Sequence, residues 1–511
     1  MWKVQSEKRH VLIRSAGRSH TPARGASRLR IPCRWPEAEG VTSKGGQTAG
    51  DTVPIAAGIG LSARQPPGFS HLSLHKLDYH QAHSLLCGDH PVQRWLLVAA
   101  LAALLVFPFA ASAQSGVEPI PADLDAQMDL LVRVTETLRW LTTLSPVERA
   151  FPTREETIAY LTELFHTDLP PEEAARFEAF YQVLGLLPAD VDLAETYLKL
   201  LGAQVAGFYD TDTRVMNVIP MLGDSPGDAL SLTEQIIFVH EYDHALQDQH
   251  FSLAALDDPA VNALPDRALA LTALVEGDAS AVMQLYAQEL MTRNPLAALS
   301  LLAEGALSNT LVMPPGTPEV LSRELLFPYE QGMAFVVALA ADGGWQAVDA
   351  AYANPPATTE QIIHPEKYLV GEGALTRPEW DALAAPEGWA TLWDVPLGEY
   401  YLREHLRTLL PAADAATAAS GWGGDRFLVF EAPDGARLWL LASAWDTPED
   451  AAEFAEAYRA GLTESYGDPL AEDDRCHATG TGVACLVTPA SGDTRIVYAP
   501  TLEDAAAYLD G

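Results

Sequence analysis

Ser231-Leu232-Thr233-Glu234-Gln235-Ile236-Ile237-Phe238-Val239-His240-Glu241-Tyr242-Asp243-His244 reads as the first three and a half turns of one helix. Ser231 as N-cap with Glu234 three residues on is a capping box, which satisfies two amides the helix start leaves free. The run Ile236–Val239 makes the helix apolar on most sides, so it belongs in a core. His240 and His244 are four apart and share a face, with Cβ atoms about 5–6 Å from each other, so both rings reach one metal ion. Glu241 sits at the edge of that face, beside a metal-bound water and outside the ligand set. A surface helix with two stray histidines would lack the apolar run.

The charge of the chain is uneven. Its 511 residues carry a net −37. Residues 1–113 hold thirteen Lys and Arg against six Asp and Glu, which leaves −44 for 114–511. The change falls at Arg94, followed by the apolar stretch Trp95–Ala111 and Ala111-Ser112-Ala113. A positive flank, a short apolar core and small residues predict a signal peptide over 92–113, cleaved after Ala113. Residues 1–91, rich in Arg, Ser, Gly, Pro and His, read as an upstream segment that is not translated or is disordered. The alternative keeps that segment and makes 95–113 a membrane anchor. Export implies a secreted or periplasmic protein, and so an oxidising compartment. Cys476 and Cys485, the two cysteines beyond the signal, are expected to pair. The acidic surface disfavours nucleic acid and anionic membranes, so no nucleic acid and, beyond the signal or anchor segment, no membrane is expected as partner. Oligomeric state is left open.

Outward from the metal helix the reading is α+β. Residues 122–201 follow a helical period. Val205–Tyr209 and Val215–Ile219 predict a hairpin about Asp210–Thr213, and helices resume from Ser231 to Gly343. An Ala-rich linker is expected over Pro411–Ala419. Beyond it, strands at Arg426–Glu431, Arg437–Ser443, Val483–Pro489 and Thr494–Ala499 and helices at Thr447–Leu462 and Thr501–Leu509 give a ββαββα order. The expected layout is thus a mainly helical catalytic domain with a small β-hairpin over 114–415, and an α+β accessory domain over 420–511.

A catalytic zinc takes three protein ligands and keeps one position open. His250 has the spacing of HExxHxxGxxH, but Gln247 stands where that pattern needs a glycine. Glu276 is an acidic residue within an apolar helical run, where a carboxylate must be paired or bound to metal. Glu276 is preferred. Here the chain resembles the gluzincin peptidases, whose HExxH is followed by a helix with a ligand Glu, often as Glu-Gly, matching Glu276-Gly277. Pro328-Tyr329-Glu330-Gln331-Gly332 is similar to their PYEKG-type segment, and His240–Phe251 to the HEYTHALQDQHF-like core of exported bacterial proteins. The resemblance implies a zincin-like fold and the zinc ligands His240, His244 and Glu276. It also implies Glu241 as base and Tyr329 against the oxyanion. The Gly-x-Met-Glu-Asn segment that reads a free amino terminus is absent, so aminopeptidase specificity does not carry over. His364 is a second candidate for oxyanion or substrate contact, and strand Val215–Ile219 a candidate edge for an extended peptide.

The sequence therefore predicts an exported zinc metallopeptidase in which Glu241 activates a zinc-bound water against a peptide or protein substrate. A metal-stabilised binding or scaffolding protein of the cell envelope is the alternative. Glu241 discriminates, because a structural site has no use for a base.

Overall fold

A computed structural model of the chain describes residues 123–511 apart from 205, 221–226, 257, 295, 298, 302–312, 490–491 and 510–511. The expected signal peptide and the upstream segment lie outside the described residues.

The fold is α+β. Helices α1 (Leu124–Arg139), α2 (Arg154–Asp168), α3 (Pro171–Val183) and α4 (Leu193–Gln204) precede α5 (Leu232–Phe251), the helix of His240 and His244. The capping box forms as the sequence requires: the Glu234 amide donates to Ser231 Oγ, and the Ser231 amide donates to Glu234 Oε2 at 2.7 Å. Two long helices follow, α6 (Pro265–Arg293) and α7 (Glu319–Gly343), then α8 (Trp345–Ala353). Helix α6 is long and apolar enough to cross a membrane, yet most of it is buried in the core. A run without a polar stripe is what a core helix needs.

Helices α6 and α7 touch backbone to backbone. A Cβ on Gly277 would run into the backbone of Gly332, and one on Gly332 into the backbone of Ala273. Only glycine allows axes this close. Glu276 is next to one glycine, and Tyr329 is nearly one turn before the other. Pro328 lies inside α7 and has no amide to give the carbonyl of Glu324. The Glu324 carboxylate itself is buried between the hydroxyls of Tyr181, at 2.7 Å, and Tyr401, at 3.1 Å.

Strands β1 (Glu148–Ala150), β2 (Gly207–Asp210) and β3 (Val215–Val218) form a small sheet in the order β1-β3-β2. The hairpin is as expected, but β3 is not an edge. It pairs in parallel with β1 and antiparallel with β2. A third strand from far upstream, too short to read from a pattern, covers its other side. Among the described residues β1 and β2 are the edges, and β2 lies against α5.

The described strands β4 (Ala390–Val395), β5 (Trp422–Glu431), β6 (Arg437–Trp445), β7 (Cys476–Ala478), β8 (Val483–Val487) and β9 (Thr494–Ala499) form an antiparallel sheet in the order β4-β5-β6-β9-β8-β7. Between them lie α9 (Gly398–Leu406), α10 (Ala412–Ala419) and α11 (Pro448–Tyr466), with α12 (Leu502–Ala506) last. The expected ββαββα order is present, with β4 and β7 added. Both faces are covered. Phe427 and Val429 turn to a core shared with Phe180, Tyr401 and Phe454, and Leu428 and Phe430 to a second cluster with Tyr508 and Leu509. That is why β5 and β6 are apolar without alternation.

The expected linker is helix α10, with Ala415, Ala418 and Ala419 buried. Small side chains bring it close to its neighbours, and close packing of alanines leaves no bulky pattern to read. The sheet begins at Ala390, and Trp393 of β4 packs on Phe177 and Phe180. A cut at 415–420 would pass through one continuous core. The join is also pinned by buried carboxylates. Asp425 accepts the amides of Leu397 and Gly398 at 2.7 and 3.1 Å, and Asp266 at the start of α6 accepts the Thr359 amide and hydroxyl. Gly398 has φ +80°, and a Cβ there would strike Asp266.

Cys476 and Cys485 face each other across β7 and β8 and are joined by a disulfide. Thiol titration of the unfolded, unreduced mature protein is expected to find no free thiol. Replacing both by Ser should cost about 2–3 kcal/mol, the loop-closure value for a crosslink of this span.

Gly332→Ala should force α6 and α7 apart and cost about 1–3 kcal/mol as an overpacked contact. Gly373→Ala, where a Cβ meets nothing within 4 Å, should be near neutral. Denaturant midpoints of the two variants test this. Equal stability would mean that the crossing gives way without cost.

Candidate metal centre

His240 and His244 stand one turn apart on α5, and Glu276 reaches them from α6. His240 Nε2 and His244 Nε2 are 3.2 Å apart, and Glu276 Oε2 lies 3.2 Å from the first and 3.4 Å from the second. Donors held at 2.0–2.1 Å in a tetrahedron around one zinc are spaced about 3.3–3.4 Å from each other. The three atoms thus have the spacing of one tetrahedral face. Glu276 Oε2 is also buried, facing both imidazole nitrogens. Such an atom is costly unless a cation serves it. Two neutral nitrogens and one carboxylate oxygen are a donor set suited to zinc.

The charges in the cluster lean on each other. Burial would raise the Glu276 carboxyl, but His244 and His240 hold it well below the usual range. Burial would likewise lower His244, yet Glu276 and Glu241 bring it up to about 9. The pocket favours a positive charge at its centre.

The remaining predicted residues divide. Glu241 is half-buried and outside the ligand trio, and its Oε2 accepts the Tyr209 amide of β2 at 3.0 Å. The Tyr329 ring lies alongside His240 with centroids 6.0 Å apart, and keeps 38% of its surface exposed. The Glu276 charge, then burial, holds its phenol well above the ordinary value, so it stays a donor. His250 points elsewhere, with Nε2 2.8 Å from the Thr142 carbonyl. Among the described residues, His364 makes no hydrogen bond or ion pair with His240, His244 or Glu276. It pairs with Glu399 at 3.2 Å and Glu366 at 3.7 Å, and ends one short helical turn as it starts the next.

Sequence reasoning missed the residues behind the ligands. Asp243, Gln247 and Asp278 are buried, and Arg139 of α1 is fully buried too. Arg139 donates to Asp278 at 2.8 Å and to Asp349 at 2.7 Å, and its guanidinium lies over the Trp345 ring. Tyr352 donates to the other oxygen of Asp278 at 2.8 Å. Burial, then Asp278, pushes the Asp243 carboxyl up to about 8, against the pull of Arg139. The available signal was polar residues at core positions of apolar helices, because buried polar groups must be bonded.

A family model described as a domain of unknown function (DUF8575) matches residues 391–509. The match begins within β4 and covers the C-terminal sheet, so it includes none of the cluster. Neither a curated protein nor a solved structure matches the chain.

Glu276→Ala should lose most bound zinc, whereas His250→Ala should keep a full equivalent. Metal analysis after dialysis decides it. Retention by the first variant and loss by the second would move the third ligand to His250.

Proposed function

We propose that this chain is an exported zinc-dependent peptidase, its helical part zincin-like, in which α5 and α6 supply the ligands. The observation that carries the reading is the meeting of His240 Nε2, His244 Nε2 and Glu276 Oε2 at 3.2–3.4 Å beside a carboxylate outside that trio. His240, His244 and Glu276 would hold the metal. When bound, zinc supplies a Lewis acid that polarises a carbonyl and acidifies water.

The chain's own groups do the rest. Glu241 takes the proton of the attacking water and returns it to the leaving amine. The Tyr209 amide fixes the rotamer of that carboxylate. Tyr329 donates a hydrogen bond where negative charge builds on the carbonyl oxygen, which is where such a bond counts most. Strand β2 is an edge of the small sheet. Residues alternate along a ladder, so the backbone of Gly207 faces the same way as the Tyr209 amide. An extended peptide adds there by main-chain pairing, which supports peptide over other acyl substrates. The Arg94–Ala113 pattern supports export.

Glu241→Gln keeps the shape but accepts no proton. Zinc content should stay at the wild-type level while cleavage of a peptide library falls about 10²–10⁴-fold. Undiminished cleavage would remove Glu241 as the base. A zinc-loaded wild type that cleaves nothing would favour the binding or scaffolding alternative.

A further inference from the structure

We propose that Gln247 is the positioning residue of the metal centre: one buried amide fixes which nitrogen of His244 is bare and ties that ring to the helix carrying Glu276. The inference rests on the metal reading above, and it is independent of what the protein hydrolyses.

Gln247 is fully buried on α5, three residues beyond His244 and on the same face. Its Nε2 is 3.0 Å from the Val275 carbonyl and 2.9 Å from Asp243 Oδ2, and its Oε1 is 3.0 Å from His244 Nδ1. These partners leave one arrangement. A backbone carbonyl only accepts, so the group facing Val275 must be the NH₂. Its two hydrogens go to Val275 and Asp243. The oxygen is therefore turned to His244, where it only accepts. Nδ1 must then carry the hydrogen, and in the neutral ring Nε2 is left with a free lone pair toward Glu276 Oε2 and His240 Nε2. Reversing the amide would set carbonyl against carbonyl.

The second consequence is mechanical. Val275 immediately precedes Glu276, so this side chain links the ring of one ligand to the backbone beside another. The glycine of the HExxHxxGxxH pattern has no side chain to make any of these bonds. His240 has no equivalent support, since its Nδ1 is buried without a partner. His244 is consequently the preset ligand of the pair.

The test uses the full mature protein with zinc alone as ligand. Gln247→Met keeps the volume and removes every hydrogen bond, and should weaken zinc binding about 10–100-fold, as loss of an outer-shell partner does. Zinc affinity unchanged in the Met variant overturns the proposal. Should the variant fail to fold, the wild type answers by itself. Nitrogen-15 spectra of its histidine rings should show His244 with hydrogen on Nδ1, both metal-free and with zinc on Nε2. Hydrogen on Nε2 in the neutral metal-free ring, or zinc on Nδ1, would sink the idea. A protein that takes up no zinc refutes the functional reading, while the metal-free tautomer still decides the role of Gln247.

Discussion

Helices α6 and α7 approach until Gly277 lies on the backbone of Gly332 and Gly332 on that of Ala273. The chemistry of the site depends on this crossing. It brings the helix that bears Glu276 and the helix that bears Tyr329 to one place, and α5 packs on the first with its two imidazoles. A side chain at either glycine would hold the axes apart by about a methyl radius, and helices move as units. Metal ligands tolerate little of that, since donor distances for zinc are set to within about 0.2 Å. The glycines of Glu276-Gly277 and Pro328–Gly332 therefore act through helix spacing.

A second constraint is electrostatic. The core around the site holds Glu276, Asp243 and Asp278 on adjacent helices, an arrangement that cannot stand without compensation. Arg139 supplies part of it from α1, paired to Asp278 and lying on Trp345. Tyr352 and Gln247 supply hydrogen bonds to the carboxylates. At the centre, Glu276 Oε2 and two imidazole nitrogens converge.

The C-terminal sheet is less separate than its sequence indicates. Phe180 and Trp393 pack across the join, and Asp266 at the start of α6 meets Gly398 just past β4. The helix that presents Glu276 is thus anchored at its N-terminus against the segment leading into the sheet. The sheet holds no residue of the metal cluster, and this anchorage gives it a mechanical part in keeping α6 in register.

Much was legible in the sequence because its causes are local. The capping box at Ser231, the i,i+4 imidazoles, the β2–β3 hairpin and the strands and helix of residues 422–466 each follow from neighbours a few positions apart. Glu276 was legible for another local reason, as a charge inside an apolar helix. Illegible were β1 beside β3, the continuity of the core across residues 390–420, the pairing of His364 with Glu399 and the contacts of Gln247. Each depends on partners far apart in the chain: β1 on Val215–Asn217, Trp393 on Phe180, His364 on Glu399, Gln247 on Val275. Sequence by itself determined which residues can bind a metal and on which helix face they sit, since spacing along a helix is set by backbone geometry. Tertiary structure alone decided which of them meet, because the meeting depends on how closely two helices can cross, and only packing settles that.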